Sequence, residues 1–169
     1  MKLYEQHGLN NFTLALGYKG EVIKDYFMNY HARSSNIITH LKSGQIEYSN
    51  PTTEDWRVSM IDTGKDSQTG GRLLRLKPYL NSQDAFMLTY GDGLSNVDLT
   101  ELIKFHKSHG RIATVTAVRP PARFGDLNIS DSQVKHFEEK PQAGEGWING
   151  GFFIFEPAIF DFIQKDLTI

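Results

Sequence analysis

Ala85-Phe86-Met87-Leu88-Thr89-Tyr90-Gly91-Asp92-Gly93 opens with four residues that have no polar side chain to turn to water and closes on a lone carboxylate between glycines. The apolar run predicts a central strand of a sheet covered on both sides. In open α/β sheets ligands bind in the crevice beyond the carboxyl ends of the strands. The glycines would let a phosphate or metal come close to Asp92. A strand-to-helix turn, with glycine at positive φ and Asp making an Asx-type hydrogen bond, uses the same residues. Taken alone, the stretch leaves both open.

Working outward, helix and strand patterns alternate. Lys19 to Tyr30 places Val22, Ile23, Tyr26, Phe27 and Tyr30 on one helical face, which predicts an amphipathic helix packed on a sheet. Asp98 to His109 carries a capping-box-like Asp98/Glu101 pair, a Val97 staple onto Leu102 and a closing Gly110. Its apolar face is Leu99, Leu102, Ile103 and His106, and neither His106 nor His109 has a ligand partner at metal spacing. Met1 to Gly8 before Asn11 to Leu16 repeats the plan of Phe105 to Gly110 before Arg111 to Val118: a helix ends at His-Gly and feeds an apolar strand. That is the αβ half of a βαβ unit, so the sheet is expected to be mostly parallel. Shorter strands are expected at Asn36 to Leu41, Gln45 to Tyr48 and Arg57 to Asp62. Phe124 to Ser130, Gln133 to Glu138 and Gly151 to Phe155 make a more β-rich second half. Met1 to Gly8 reads as the last turns of a helix, and Pro157 to Lys165 as a helix barely finished when the sequence ends. One domain over 1–169, incomplete at both ends, is the expectation.

The 169 residues are 39% hydrophobic and 22% charged, with a formal charge of −2. No basic surplus is present to hold a nucleic-acid backbone. The lack of cysteine excludes disulfides and thiolate metal sites. No apolar run reaches bilayer length and no signal-peptide pattern stands at the N-terminus. A cytoplasmic protein with no nucleic-acid and no membrane partner is expected.

Three further clusters could carry chemistry. Asp62-Thr63-Gly64 and Ser67-Gln68-Thr69-Gly70-Gly71-Arg72 form a polar loop running into a helix from Arg72 to Tyr79, so backbone N–H groups and an Arg converge as in an anion site. A tight turn with a cap would use the same residues. Glu138-Glu139-Lys140-Pro141 offers a carboxylate and a cation at a stiff strand exit, or a surface turn. Trp147-Ile148-Asn149-Gly150-Gly151-Phe152-Phe153 sets an amide and small residues beside aromatics, which suits sugar hydroxyls or an ordinary strand start.

The ordered set Thr69-Gly70-Gly71-Arg72-Leu73, Tyr90-Gly91-Asp92-Gly93, Arg123-Phe124-Gly125, Glu139-Lys140-Pro141 and Asn149-Gly150-Gly151-Phe152-Phe153 resembles the sugar-nucleotide pyrophosphorylases. With Asp62-Thr63-Gly64 and Gly17-Tyr18-Lys19-Gly20, the resemblance is strongest to the branch that joins a cytidylyl group to glucose 1-phosphate for bacterial surface deoxysugars such as those of O-antigen. It implies an α/β, Rossmann-like nucleotide-diphospho-sugar transferase fold with a mostly parallel sheet, truncated at both ends. It implies CTP and glucose 1-phosphate as partners, Mg²⁺ as cofactor, and a homo-oligomer when complete. Catalytic roles fall on Arg72, Asp92 and Lys140. Ser67, Thr69, Gly70, Gly71 and Arg72 would contribute to the nucleotide site and Gly91 would lie against the nucleotide. Asp92 would bind Mg²⁺, Lys140 would meet the sugar phosphate, and Glu139, Asn149 and Gly150 would face the sugar. The family's Gly-Gly-x-Gly-Thr-Arg loop, the Lys-Pro after it and a second metal-binding Asp have no counterpart within 1–169, so this stretch by itself is expected to be inactive. A non-catalytic sugar-nucleotide-binding or regulatory subunit, or a pyrophosphorylase for another base or sugar, is the alternative. A nicotinamide oxidoreductase is disfavoured, because no Gly-x-Gly-x-x-Gly follows a strand.

Overall fold

A computed structural model describes residues 1–50, 54–81, 84–119, 126–130, 133–138 and 147–164. The chain runs through helix α1 (Lys2–Glu5), strand β1 (Asn11–Leu16), helices α2 (Gly20–Met28) and α3 (Tyr30–Ser34), and strands β2 (Asn36–His40), β3 (Gln45–Ser49) and β4 (Arg57–Asp62). Helix α4 (Thr69–Leu80), β5 (Phe86–Thr89), α5 (Leu99–His109), β6 (Ala113–Val118), β7 (Asp126–Ser130), β8 (Gln133–Glu138), β9 (Ile148–Phe155) and a 3-10 helix (Pro157–Asp161) follow.

The α/β alternation of the expected fold class is present. β1 and β4 pair in parallel, from Asn11 opposite Arg57 to Leu16 opposite Asp62. β9 lies between β5 and β6 and runs against both, so those two strands point the same way. The hairpins β2–β3 and β7–β8 are antiparallel. Among the described residues the directly paired parallel strands are β1 and β4, and the antiparallel component enters through β9 and the hairpins.

Strand β5 is covered on both sides, as its apolar run predicts. Phe86 and Leu88 pack with Leu73 of α4 and Phe160 of the 3-10 helix. Met87 points the other way, into a cluster of Tyr4, Leu99, Leu102, Phe152 and Ile154. Alternate side chains of a strand reach opposite faces, and burying an aliphatic or Phe side chain stabilises by about 1.5–3 kcal/mol. Along its edges β5 is less central than expected, because among the described residues β9 is its ladder partner.

Helix α5 begins and ends where its caps predict. The Asp98 carboxylate accepts from the N–H groups of Thr100 (2.9 Å) and Glu101 (3.1 Å). Gly110 stops the helix at φ +63°, and Gly8, at φ +75°, makes the corresponding turn into β1. The reciprocal half of the capping box does not form, because the Glu101 carboxylate takes the Lys104 ammonium at 2.6 Å.

The helix expected over Lys19 to Tyr30 is corrected in two ways. It breaks at Asn29 (φ −100°, ψ 11°), whose side-chain amide donates to the Asp25 carbonyl and carboxylate, both at 2.9 Å. Such a local side-chain bond competes with the helical ladder. The expected buried face is also only partly buried. Phe27 and Tyr30 line a cavity with Trp56, Val58 and Met60, whereas Val22, Ile23 and Tyr26 remain exposed. A 3-10 helix at Pro157–Asp161 stands where a longer helix was expected. Lys165 and the Phe124-Gly125 start of the expected β7 lie outside the described residues.

Candidate active site

Two sets of polar groups stand at strand ends. The first lies where β1 and β4 stop together, as their register dictates. Thr63, directly after β4, is fully buried. Its N–H (2.8 Å) and its hydroxyl (2.9 Å) both donate to the Leu16 carbonyl at the end of β1. Gly64 adopts φ +86° and its N–H donates to the Asp62 carboxylate at 2.9 Å, an Asx turn. The Ser67 hydroxyl donates to the Thr63 carbonyl at 2.7 Å and accepts from the Arg75 guanidinium. The loop is thereby folded into the entrance of α4.

Helix α4 starts at Thr69, three residues earlier than the sequence pattern predicts, and its first turn holds Gly70 and Gly71, both buried. Arg72 sits just behind them and its side chain turns back toward the strands. One guanidinium nitrogen donates to the Leu16 carbonyl (3.1 Å) and the Thr63 hydroxyl (3.0 Å), the other to the Lys65 carbonyl (3.3 Å). Three of its five N–H donors are therefore spent on the protein. Gly17 makes room for it: a Cβ there would sit 2.8 Å from the guanidinium carbon. Arg72 is the clasp that joins β1, the Thr63 loop and α4.

Beyond these strand ends lies a cavity of about 160 Å³ lined by Leu16, Gly17, Gly20, Glu21, Lys24 and Asp62. Ligand pockets typically span roughly 300–1,000 Å³, so this space accommodates only part of a substrate. Its lining carries charges of both signs, Glu21 and Asp62 with Lys24. The ammonium groups of Lys19 and Lys65 lie 5.4 Å and 5.9 Å from the centre of the exposed Tyr18 ring, and Lys19 is held in the left-handed region at φ +56°.

The second set is assembled by β5 and β9. Antiparallel pairing sets Thr89 opposite Phe152, so the carboxyl end of β5 meets the start of β9. Tyr90 and Gly93 close a turn around Gly91 and Asp92, with the Gly93 N–H donating to the Tyr90 carbonyl at 3.1 Å. Asp92 is exposed on it, and beside Gly91 there is open space where a Cβ would be. The Asn149 amide donates to the Tyr90 hydroxyl at 3.2 Å, while its carbonyl oxygen accepts the Gly151 N–H at 2.7 Å. Gly150 is packed so tightly on Thr116 and Val118 that a Cβ would fall 2.9 Å from the Thr116 hydroxyl. Under this end of the sheet, burial raises the pKa of the Tyr4 hydroxyl, an effect the Thr89 hydroxyl partly offsets.

Gly91 and Asp92 are thus brought together with Asn149 and Gly150, and Ser67, Thr69, Gly70, Gly71 and Arg72 with one another at the ends of β1 and β4. Arg123, Glu139 and Lys140 lie outside the described residues. The sequence reading gave no part to Tyr90, Thr63 or Arg75. Tyr90 was visible as the residue before Gly91, and Arg75 as the same-face neighbour of Arg72 one turn on. His106 and His109, read as ligand-free, both hydrogen-bond the Thr114 hydroxyl at 2.8 Å.

Among the described residues no group of three His, Cys, Asp or Glu could hold a metal ion. Asp92 alone still fits Mg²⁺, which is commonly bound through one or two carboxylates together with substrate phosphates and retained waters. Its carboxylate is exposed, and the Gly91 side leaves space for those other ligands.

In open α/β sheets, turns of this kind beyond the carboxyl ends of the strands are where ligands bind. More specifically, the chain belongs to the nucleotidyl transferase family, whose model matches residues 21–168. It is 45% identical over 168 residues to the glucose-1-phosphate cytidylyltransferase of Salmonella typhi, covering 99% of this chain and 65% of that protein. It is 41% identical to the probable glucose-1-phosphate cytidylyltransferase of Bacillus subtilis, covering 98% and 64%. The chain therefore spans a little under two thirds of these relatives' length. The crystal structure of HddC from Yersinia pseudotuberculosis shares the fold, with a TM-score of 0.65 at 23% identity over 99% of this chain and 65% of that one.

Proposed function

We propose that the whole protein to which residues 1–169 belong transfers a cytidylyl group from CTP to α-D-glucose 1-phosphate, giving CDP-glucose and pyrophosphate. Identity of 41–45% to relatives named for that reaction supports it, and the observation that carries it is the meeting of the Asp92 turn with Asn149 through Tyr90. A phosphate oxygen of the sugar phosphate attacks the α-phosphorus of CTP, the new P–O bond forms, and the bond to the β-phosphate oxygen breaks. No covalent nucleophile is required, because catalysis of this kind consists of positioning two anions and neutralising charge. Asn149 and Gly150 face the acceptor sugar. Ser67, Thr69, Gly70 and Gly71 offer hydroxyl and backbone donors to the nucleotide at the start of α4, where the helix dipole favours anions. Arg72 acts by holding this loop in place. Asp92 would hold Mg²⁺, which when bound offsets the negative charge of the triphosphate. Lys140 would meet the sugar phosphate. The reaction runs in the cytoplasm, where CTP is found, and the whole protein acts as a homo-oligomer.

Pyrophosphate release by the whole protein with glucose 1-phosphate, measured in turn with CTP, UTP, GTP and dTTP, tests this. CTP is expected to support the reaction far better than the others. Preference for another nucleotide would reassign the base. Tight CDP-glucose binding with no release from any of the four would make the protein a binding subunit of the same fold.

A further inference from the structure

Arg119 and Trp147 stand at the same end of the three-stranded sheet as Tyr90 and Asn149, and nothing above uses them. Between β6 and β9, Ala117 pairs with Asn149 and Val118 with Ile148. One more step of this antiparallel register sets Arg119 opposite Trp147. Side chains alternate along a strand, so Ala117, Arg119, Trp147 and Asn149 share a face.

The guanidinium carbon of Arg119 lies 4.7 Å from the centre of the Trp147 ring, within cation–π range. Trp147 is 65% exposed, so the pair is not a core contact. A stacked guanidinium has given up much of its rotamer freedom before a ligand arrives, which lowers the ordering cost of binding. A guanidinium that meets a ring through its face keeps its in-plane N–H donors for other partners. That planar fork matches two oxygens of a phosphate.

We infer that Arg119, held against Trp147, binds the phosphomonoester of the acceptor sugar phosphate, with Trp147 as its positioning residue. The inference rests on the acceptor-side reading of Asn149 and Gly150. It favours the acceptor over the nucleotide because Asn149 shares the face of Arg119, whereas the Ser67 to Arg72 loop lies at the ends of β1 and β4.

Calorimetric titration of glucose 1-phosphate and of CTP into the wild-type protein, Arg119→Ala, Arg119→Lys, Trp147→Phe and Trp147→Leu tests it, with melting temperatures alongside. Arg119→Ala is expected to weaken glucose 1-phosphate by about tenfold or more, the loss of a charge-assisted hydrogen-bonded pair, with CTP affinity unchanged. Trp147→Phe, which keeps an aromatic face, should stay near wild type. Trp147→Leu should weaken glucose 1-phosphate as much as Arg119→Lys does. Equal losses for both ligands, or a loss for CTP alone, would overturn the assignment to the acceptor. Unchanged glucose 1-phosphate affinity in all four variants would overturn it entirely. Wild-type protein that binds CTP but not glucose 1-phosphate would instead remove the functional reading on which it stands.

Discussion

The Asn149 side-chain amide meets the Tyr90 hydroxyl at 3.2 Å across 59 positions of sequence. That bond ties the turn bearing Asp92 to the start of β9, where Asn149 also fixes Gly151 in the left-handed conformation at φ +78°. Tyr90→Phe removes the hydroxyl and keeps the ring that packs on Phe153. It should raise KM for glucose 1-phosphate severalfold with the melting temperature nearly unchanged. Asn149→Ala should have the larger effect, because it also loses the Gly151 bond. Steady-state kinetics at saturating CTP check both, and an unchanged KM in Asn149→Ala would show that the amide serves only the turn.

Arg72 gives a prediction about stability. Removing its guanidinium leaves the buried Thr63 hydroxyl without a donor, while the Leu16 carbonyl keeps the Thr63 N–H and hydroxyl. Loss of such a partner costs about 1–3 kcal/mol, so Arg72→Ala should lower the urea midpoint clearly. Gly17→Ala should do the same by pushing the guanidinium aside. An Arg72→Ala protein as stable as wild type but weak in CTP binding would return Arg72 to direct phosphate contact.

His106 couples stability to pH. Burial lowers its pKa, the neighbouring His109 lowers it further, and Glu156 acts in the opposite sense. The folded state therefore favours the neutral ring, and the unfolded chain binds the proton more readily. Its contribution is fully present above the unfolded value of about 6.5 and is lost as pH falls through the depressed folded value. The urea midpoint of wild type should drop more between pH 7.5 and pH 5 than that of His106→Leu. Parallel pH profiles would show that the ring titrates normally.

The sequence was most legible where the signal is local. Asn11–Leu16 and Arg57–Asp62 were read with the bounds they have in the structure, because each sets apolar residues at alternate positions and is closed by turn residues. The ends of α5 were legible because Asp98 and Gly110 act within one turn of themselves. Pairing was not legible. Nothing in Ile148–Phe155 by itself says that it runs between β5 and β6 against both, since strand direction depends on partners distant in sequence. The destination of the Arg72 guanidinium was hidden for the same reason, since its acceptors are brought to it only by the β1–β4 register. The exposure of Val22, Ile23 and Tyr26 shows the limit of periodicity, which predicts an apolar face but not what covers it.

Asp92 is the residue on which the whole reading turns, and Asp92→Asn addresses it most directly. The substitution keeps the shape of the turn and much of its hydrogen bonding, and removes the charge that a hard, oxygen-seeking cation requires. The decisive measurement is Mg²⁺-dependent pyrophosphate release from CTP and glucose 1-phosphate by the whole protein, wild-type and Asp92→Asn, each checked for its melting temperature. The account predicts a folded variant of near-normal melting temperature whose rate falls by about 100-fold or more, the scale of losing one preorganised charge stabiliser. An Asp92→Asn protein that retains most of the Mg²⁺-dependent rate would contradict it and leave Asp92 as a turn residue.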